Sequence, residues 1–433
     1  MSQHDAVVVG AGLAGLTAAL RLAEGGARVV VLAKGVGATH LSPVTIDVLG
    51  YNSERVEHPL EALGELVEAR PDHPYALMGP EGVRSAVAWF KERFVDGPLA
   101  PYAYTGDAEH NVLLPTAVGV LRPSAVVPET MVGGDMPEGA AVCVVGFRTL
   151  KDFHPLLLAD NLNRLGRVGA RGIELDLTPE GRADVNSLGF ARAFDDPGFR
   201  GQLTIALGDR LRADERVALP AVVGIADPRR AWTDVQDRLG RPVFEIPTLP
   251  PSVPGMRVFA TLRERLRRAG CRVVFNNVVT GAEHAGGRVT AVRARVGLRD
   301  RVYGTDWVVV ATGGFASAGL ELDSHWVGRE TALGLPVTGI PATNAERFRP
   351  DYFDAHPMGH AGVAVDADQR PVDSTGARVF ENVLVAGATL AGAEPWREKS
   401  GDGLSLATGH RAAGIILAAS GARTGTAAAA TGR

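Results

Sequence analysis

The stretch AVVVGAGLAGLTAALRLAEGGARVVVLAK, residues 6–34, decides how this chain is read. Ala6 to Val9 is a short unbroken apolar run, as expected of a strand buried on both faces. Gly10-Ala11-Gly12-Leu13-Ala14-Gly15 then fits the spacing GxGxxG. Alone such a match is weak, but this one follows a strand and opens a helix, which is its diagnostic setting. The helix runs from about Ala14 to Glu24, stops at Gly25-Gly26, and leads into a second strand, Arg28 to Leu32. The whole is one βαβ unit. Gly10 permits the tight turn, Gly12 lets a phosphate approach the backbone, and Gly15 lets helix and strand pack closely. The helix N-terminus offers free N–H groups and a partial positive charge to that phosphate. Residues Gly10, Ala11, Gly12, Leu13, Ala14 and Gly15 are therefore read as cofactor-binding.

The pattern continues through Ala19, Leu22, Gly26 and Val29, which resembles the longer signature of flavin-binding dinucleotide domains. That resemblance favours flavin over nicotinamide. One position departs from it. The second strand should end in an acid that hydrogen-bonds the adenosine ribose, but the chain has Ala33, then Lys34. A methyl group accepts no hydrogen bond. The loss costs an FAD site roughly 1.5–3 kcal/mol, whereas FMN has no adenosine half to lose. FMN is accordingly the expected cofactor, with FAD the alternative, and Lys34 is placed to face a terminal phosphate.

Three further segments fit a flavin site. WVVVATGG, Trp307 to Gly314, reads as a buried strand ending in the turn Ala311-Thr312-Gly313 and resembles another cofactor-contacting turn of flavin oxidoreductases. ENVLVAGA, Glu381 to Ala388, brings Gly387 to a similar place, with Ala388 where such enzymes commonly hold an acid on the ribityl chain. SGDGLSLATGHRAAGI, Ser400 to Ile415, opens a helix at Gly401 and Gly403, a start that commonly faces the isoalloxazine ring.

Composition sets the outer limits. The chain of 433 residues is too long for one core and suggests two domains. A net charge of −4, with no basic stripe, sets nucleic acid aside. Two cysteines, Cys143 and Cys271, are too few for an iron–sulfur cluster of the usual four-cysteine type. The N-terminus has neither the basic nor the apolar region of a signal peptide, and no run of roughly 18 apolar residues occurs. A cytoplasmic protein is expected, reaching a membrane only through partners. No metal site is read.

The fold class read from the strand–helix alternation is α/β: a discontinuous Rossmann-like flavin-binding domain with an inserted α/β lobe. The expected boundaries are 1–80 and 251–425 for the flavin-binding parts, 81–250 for the lobe, and 426–433 for a flexible tail. Within the lobe, Ala141 to Gly146, Gly172 to Leu177 and Arg216 to Leu219 read as strands. Phe153 to Leu165, Phe199 to Leu211 and Pro228 to Leu239 read as helices between them. The cluster Pro247, Pro250, Pro251 and Pro254 reads as a stiff crossing back to the first domain.

Several motifs make a narrower resemblance. HPYALMGP (His73 to Pro80), LPAVVGIAD (Leu219 to Asp227) and above all PTLPPSVPGMR (Pro247 to Arg257) are similar to the B-subunit family of anaerobic glycerol-3-phosphate dehydrogenase. CVVGF (Cys143 to Phe147), KDF (Lys151 to Phe153) and ATHLSPVTIDVL (Ala38 to Leu49) fit the same family. The resemblance implies a complex with two partners, the flavoprotein A subunit and the iron–sulfur C subunit, at the inner face of the membrane. It implies oxidation of sn-glycerol 3-phosphate to dihydroxyacetone phosphate, with electrons passed to quinone in anaerobic respiration. A denser glycine run is usual near Pro395 to Ser405; here only Gly401 and Gly403 stand there.

Oxidising a secondary alcohol needs a base for the hydroxyl proton, and a phosphate needs a cationic fork. His40 is the candidate catalytic base, because it follows the second strand where the chain passes the cofactor. Arg257, ending the proline motif, is the candidate substrate clamp. His356, His360 and His410 are further possibilities. The alternatives are an electron-relay or scaffold subunit with no substrate site of its own, motivated by Ala33 and Ala388, and a different flavin- or NAD-dependent dehydrogenase.

Overall fold

The computed structural model describes residues 2–95, 103–179 and 184–430. The chain forms two units. The first comprises Met1–Ala38, Leu60–Val87 and Leu262–Arg433; the second comprises Thr39–Pro59 and Ala88–Thr261.

The first unit is built on the βαβ opening. Strand β1 (Ser2–Val9), helix α1 (Leu13–Glu24) and strand β2 (Val29–Leu32) follow the expected order. β1 lies at the centre of a seven-stranded sheet, parallel to β2 on one side and to Arg299–Val310 on the other. Arg272–Val274 extends the sheet beyond β2, also in parallel. On the far side Arg299–Val310 pairs first with an antiparallel hairpin, Asn277–Ala285 and Arg288–Val296, and then in parallel with Val383–Val385. The central strands are continuous apolar runs because both faces are covered: Val7, Val8, Val308 and Val309 have no exposed surface. The parallel strands end in register, with Val9 opposite both Leu32 and Val310, and Val310 opposite Val385. Three expected cofactor turns therefore leave the sheet at one edge.

The helix Gly401–Ala430 covers one face by packing along α1. Their approach is close because Gly409 has no side chain: a Cβ there would stand 2.3 Å from the Ala14 carbonyl oxygen. The segment expected as a tail is part of this helix as far as Ala430, and its last three residues lie outside the described ones.

The second unit carries a four-stranded parallel sheet in the order Gly169–Leu175, Ala141–Phe147, Arg216–Pro220, Val243–Ile246. Helices Pro155–Arg164, Ser187–Asp195, Pro197–Leu207 and Pro228–Leu239 connect the strands. Its core is rich in phenylalanine: Phe147, Phe190, Phe194 and Phe244 are all buried, with Phe147 stacked on Phe190 at 4.6 Å. The unit begins earlier than the expected lobe, at Thr39. Residues 39–59 are held here by bonds to distant parts of the chain: Ile46 bridges Val126, the Tyr104 hydroxyl donates to the Val44 carbonyl, and Asp47 accepts from Ser124 and Arg122. The proline cluster is not wholly a crossing. Pro254 lies in the first turn of the helix Val253–Arg268, where a missing N–H costs nothing.

Candidate functional site

The three glycines of the opening turn have distinct surroundings. Gly10 has φ +113°, and a Cβ there would lie 2.1 Å from the Ala311 carbonyl oxygen. A Cβ on Gly15 would lie 2.1 Å from the Gly10 carbonyl oxygen. Both glycines are demanded by the chain's own packing. A Cβ on Gly12 would meet no protein atom within 4 Å. That glycine is unnecessary for the fold and leaves open the space a phosphate would take. No side chain caps α1 at Gly12, and its first turn carries no acid, so its N-terminal field is left to a ligand. The residues present therefore fit a bound dinucleotide or mononucleotide phosphate. Gly37 (φ +70°) closes over the same turn: a Cβ there would stand 2.9 Å from the Gly12 nitrogen and Cα.

The other expected turns assemble around this one. Ala311 is buried against Gly10, and its N–H donates to the Val9 carbonyl at 2.8 Å. The Thr312 hydroxyl donates to Glu330 at 2.9 Å, and the Gly313 N–H donates to the Thr389 hydroxyl at 2.9 Å. Gly387 (φ +73°) sits against Ala14, and its N–H donates to the Thr408 hydroxyl. Thr408 belongs to the helix that Gly401 opens and Gly403 continues. Ala33 is buried at the end of β2, while Lys34 is exposed.

The junction before Gly401 is fastened by a network that the sequence reading missed. His73 and Glu398 are buried, and the His73 Nδ1 accepts from the Tyr75 N–H at 3.1 Å. With Nδ1 accepting, the ring presents its Nε2–H to Glu398 Oε2 at 3.2 Å. Glu398 also accepts from Arg70 at 3.2 Å, the Ser400 hydroxyl at 2.9 Å and the Glu394 N–H at 3.2 Å. Arg70 reaches His360 Nδ1 as well, at 3.2 Å. Burial pushes the Glu398 carboxyl up, but the bonds from His73, Glu394 and Ser400 win and hold it at about 2. A depressed carboxyl stabilises the fold above its ordinary 4.5, and that contribution is lost as pH falls toward 2. It amounts to something on the order of 3 kcal/mol. In denaturant titrations, wild type should lose more stability across this acid window than Glu398→Gln does. Equal losses would show that Glu398 carries no such linkage.

Beside this junction lies an open cleft of about 520 Å³. Phe348, Tyr352 and Trp396 form exposed aromatic walls, Arg349 stands among them, and Met358, Gly359 and Glu394 lie deeper. His356 also lines the cleft, but its ring is occupied. Nδ1 accepts from the Arg349 N–H, and Nε2 faces the Tyr352 carbonyl, both at 3.0 Å. The sequence signal for this cleft was weak, because its walls come from irregular segments with no periodicity to read.

A family model described as FAD binding domain matches residues 5–404. The B subunit of the probable anaerobic glycerol-3-phosphate dehydrogenase of Halobacterium salinarum is 32% identical over 428 residues, covering 95% of this chain and 97% of that one. The B subunit of the anaerobic glycerol-3-phosphate dehydrogenase of Vibrio cholerae is 30% identical over 442 residues, covering 96% and 97%. The chain belongs to the B-subunit family of anaerobic glycerol-3-phosphate dehydrogenase. It is a flavin oxidoreductase by that membership. Among solved structures, 3-ketosteroid Δ1-dehydrogenase from Sterolibacterium denitrificans overlays with a TM-score of 0.48 at 13% identity, covering 97% of this chain and all of that one.

The motifs that marked this family fall in definite places. In the second unit, CVVGF is a central strand, LPAVVGIAD runs off the end of its neighbour, and PTLPPSVPGMR follows the edge strand. Arg257, expected as a substrate clamp, is closed. It has 1% exposure, its Nη1 and Nη2 bond the two oxygens of Glu245 at 2.7 and 3.0 Å, and its Nε and Nη2 bond the Gly224 carbonyl. Glu245 is completed by the Thr130 hydroxyl and the Val223 N–H. This guanidinium fastens the second unit and has no fork left for a phosphate. His40 ends the short helix Gly37–His40, is half-buried, and meets Phe259 edge-on at 4.9 Å. Its Nε2 is buried without a hydrogen-bond partner, and burial lowers its pKa. His410 is buried in the long helix and gives its carbonyl to Arg21. Both cysteines are buried, and burial pushes their thiols to about 11 for Cys143 and about 12 for Cys271. Among the described residues there is no metal-ligand cluster, and no helix is long and apolar enough to cross a membrane.

Proposed function

We propose that this chain is the flavin-bearing B subunit of a glycerol-3-phosphate dehydrogenase complex, taking electrons from sn-glycerol 3-phosphate. The observation that carries the reading is the space at Gly12, kept open in a turn whose other two glycines the fold itself requires. The glycine turn holds a flavin phosphate on its N–H groups and the α1 dipole. Thr312, Gly313 and Gly387 fix the neighbouring turns, and the network on Glu398 holds the start of the helix at Gly401. When bound, the flavin supplies a hydride acceptor. His40, whose pKa burial lowers and whose Nε2 has no hydrogen-bond partner, is the candidate to accept the hydroxyl proton. A flavoprotein partner, an iron–sulfur partner and quinone as terminal acceptor complete the reading, since this chain has only two cysteines.

Of the two flavins we favour FAD, the reverse of the expectation from Ala33. The matched family is described as an FAD binding domain over nearly the whole chain, and backbone contacts can replace one ribose acid. Denaturing the purified protein and weighing the released flavin decides between them. FAD at one per chain is the expected result; FMN would restore the argument from Ala33; a colourless protein would leave only the scaffold reading.

A further inference from the structure

The cleft beside the Gly401 junction has two polar groups left incomplete. Glu394 at its floor is 4% exposed. Its Oε2 pairs with Arg397 at 3.4 Å, while its Oε1 is buried and accepts no hydrogen bond. A buried carboxyl oxygen without a donor is unfavourable unless something supplies one. Gly359 packs against that oxygen and offers it no side chain: a Cβ there would lie 2.7 Å from Oε1. Arg349 lines the same cleft, is exposed, and has no side-chain partner among the described residues. His356, the imidazole in the lining, is held at both nitrogens by backbone groups.

A cation among the walls and an unfilled acceptor at the floor describe a ligand with an anion at one end and a hydroxyl at the other. We propose that this cleft binds a phosphorylated alcohol, with Arg349 holding the phosphate and Glu394 Oε1 accepting a hydroxyl hydrogen bond. The volume is in the range of small-molecule sites. Burial pushes the Glu394 carboxyl up and Glu398 adds to this, while Arg397, His356 and Trp396 oppose it. The proposal rests on the reading of the chain as acting on glycerol 3-phosphate, and it places the phosphate on Arg349 where the sequence had suggested Arg257. Glu394 is a specificity residue in this account: it selects for the hydroxyl, and Arg349 selects for the anion.

The test is calorimetric binding to the purified flavin-loaded protein, with sn-glycerol 3-phosphate, dihydroxyacetone phosphate and inorganic phosphate as titrants. Flavin content and melting temperature are recorded for every variant. Arg349→Ala should weaken all three ligands tenfold or more. Glu394→Ala should weaken glycerol 3-phosphate tenfold or more and leave inorganic phosphate near wild type. Gly359→Ala, whose added methyl displaces the carboxyl, should follow Glu394→Ala. Arg349 is a surface side chain, so its variant stays folded and reports even if the other two do not. Wild-type binding of glycerol 3-phosphate by Arg349→Ala and Glu394→Ala would overturn the assignment of the cleft and leave the proposed function standing. Absence of binding by the wild-type protein, both isolated and assembled with its partners, would overturn both.

Discussion

Gly12→Val should purify folded and colourless. The backbone at Gly12 is extended, with φ −76° and ψ 178°, which valine adopts readily. An added Cβ meets no protein atom within 4 Å, so the apoprotein should lose less than about 1 kcal/mol. The branched side chain fills the space a phosphate needs, and flavin content should fall from about one per chain to near none. Gly10→Ala and Gly15→Ala form the control. Each would force a carbon to 2.1 Å from a backbone oxygen, and Gly10 also needs its positive φ. Those two should fail to fold or melt far below wild type, with or without flavin. Absorbance and circular dichroism of the three variants check this. A yellow, fully loaded Gly12→Val would show that the cofactor lies elsewhere.

The second large effect is on stability. Arg257 and Glu245 are an ion pair whose side chains have no exposed surface. Removing one partner strands a charge in the interior, a loss of about 3–5 kcal/mol. Arg257→Ala and Glu245→Ala should therefore both be severely destabilised in denaturant titrations. The double replacement Arg257→Met with Glu245→Leu should recover much of the loss, because no buried charge is then unpaired, although Thr130 and Val223 lose an acceptor. If Arg257→Ala instead keeps wild-type stability and only weakens substrate binding, the residue is a clamp after all.

These two cases also mark what the sequence could reveal. The Gly10–Gly15 turn was legible because strand, turn and helix each leave a local pattern, and its neighbours at Ala311 and Gly387 end apolar strands that pattern the same way. The α/β class and most elements of the second unit followed from the same alternation. Arg257 was misread because a buried ion pair is a tertiary fact. Nothing in PTLPPSVPGMR announces that Glu245, one strand earlier, will meet it. Residues 39–59 were misplaced for a similar reason: Asp47 finds Ser124 and Arg122 some 75 residues on. The cleft was invisible because Arg349, Gly359 and Glu394 come from irregular segments. Their chemistry arises only from juxtaposition. His73 stood inside a recognised motif, yet its partner Glu398 is 325 residues away.

In the proposed function this chain binds a flavin, and glycerol 3-phosphate reduces it. Anaerobic addition of sn-glycerol 3-phosphate to the purified chain, by itself and together with its partners in the complex, tests this most directly through the visible absorbance of the oxidised flavin. The expected result is a yellow chain whose absorbance bleaches with substrate and returns with an added electron acceptor. A yellow protein that glycerol 3-phosphate never bleaches, isolated or assembled, would contradict it.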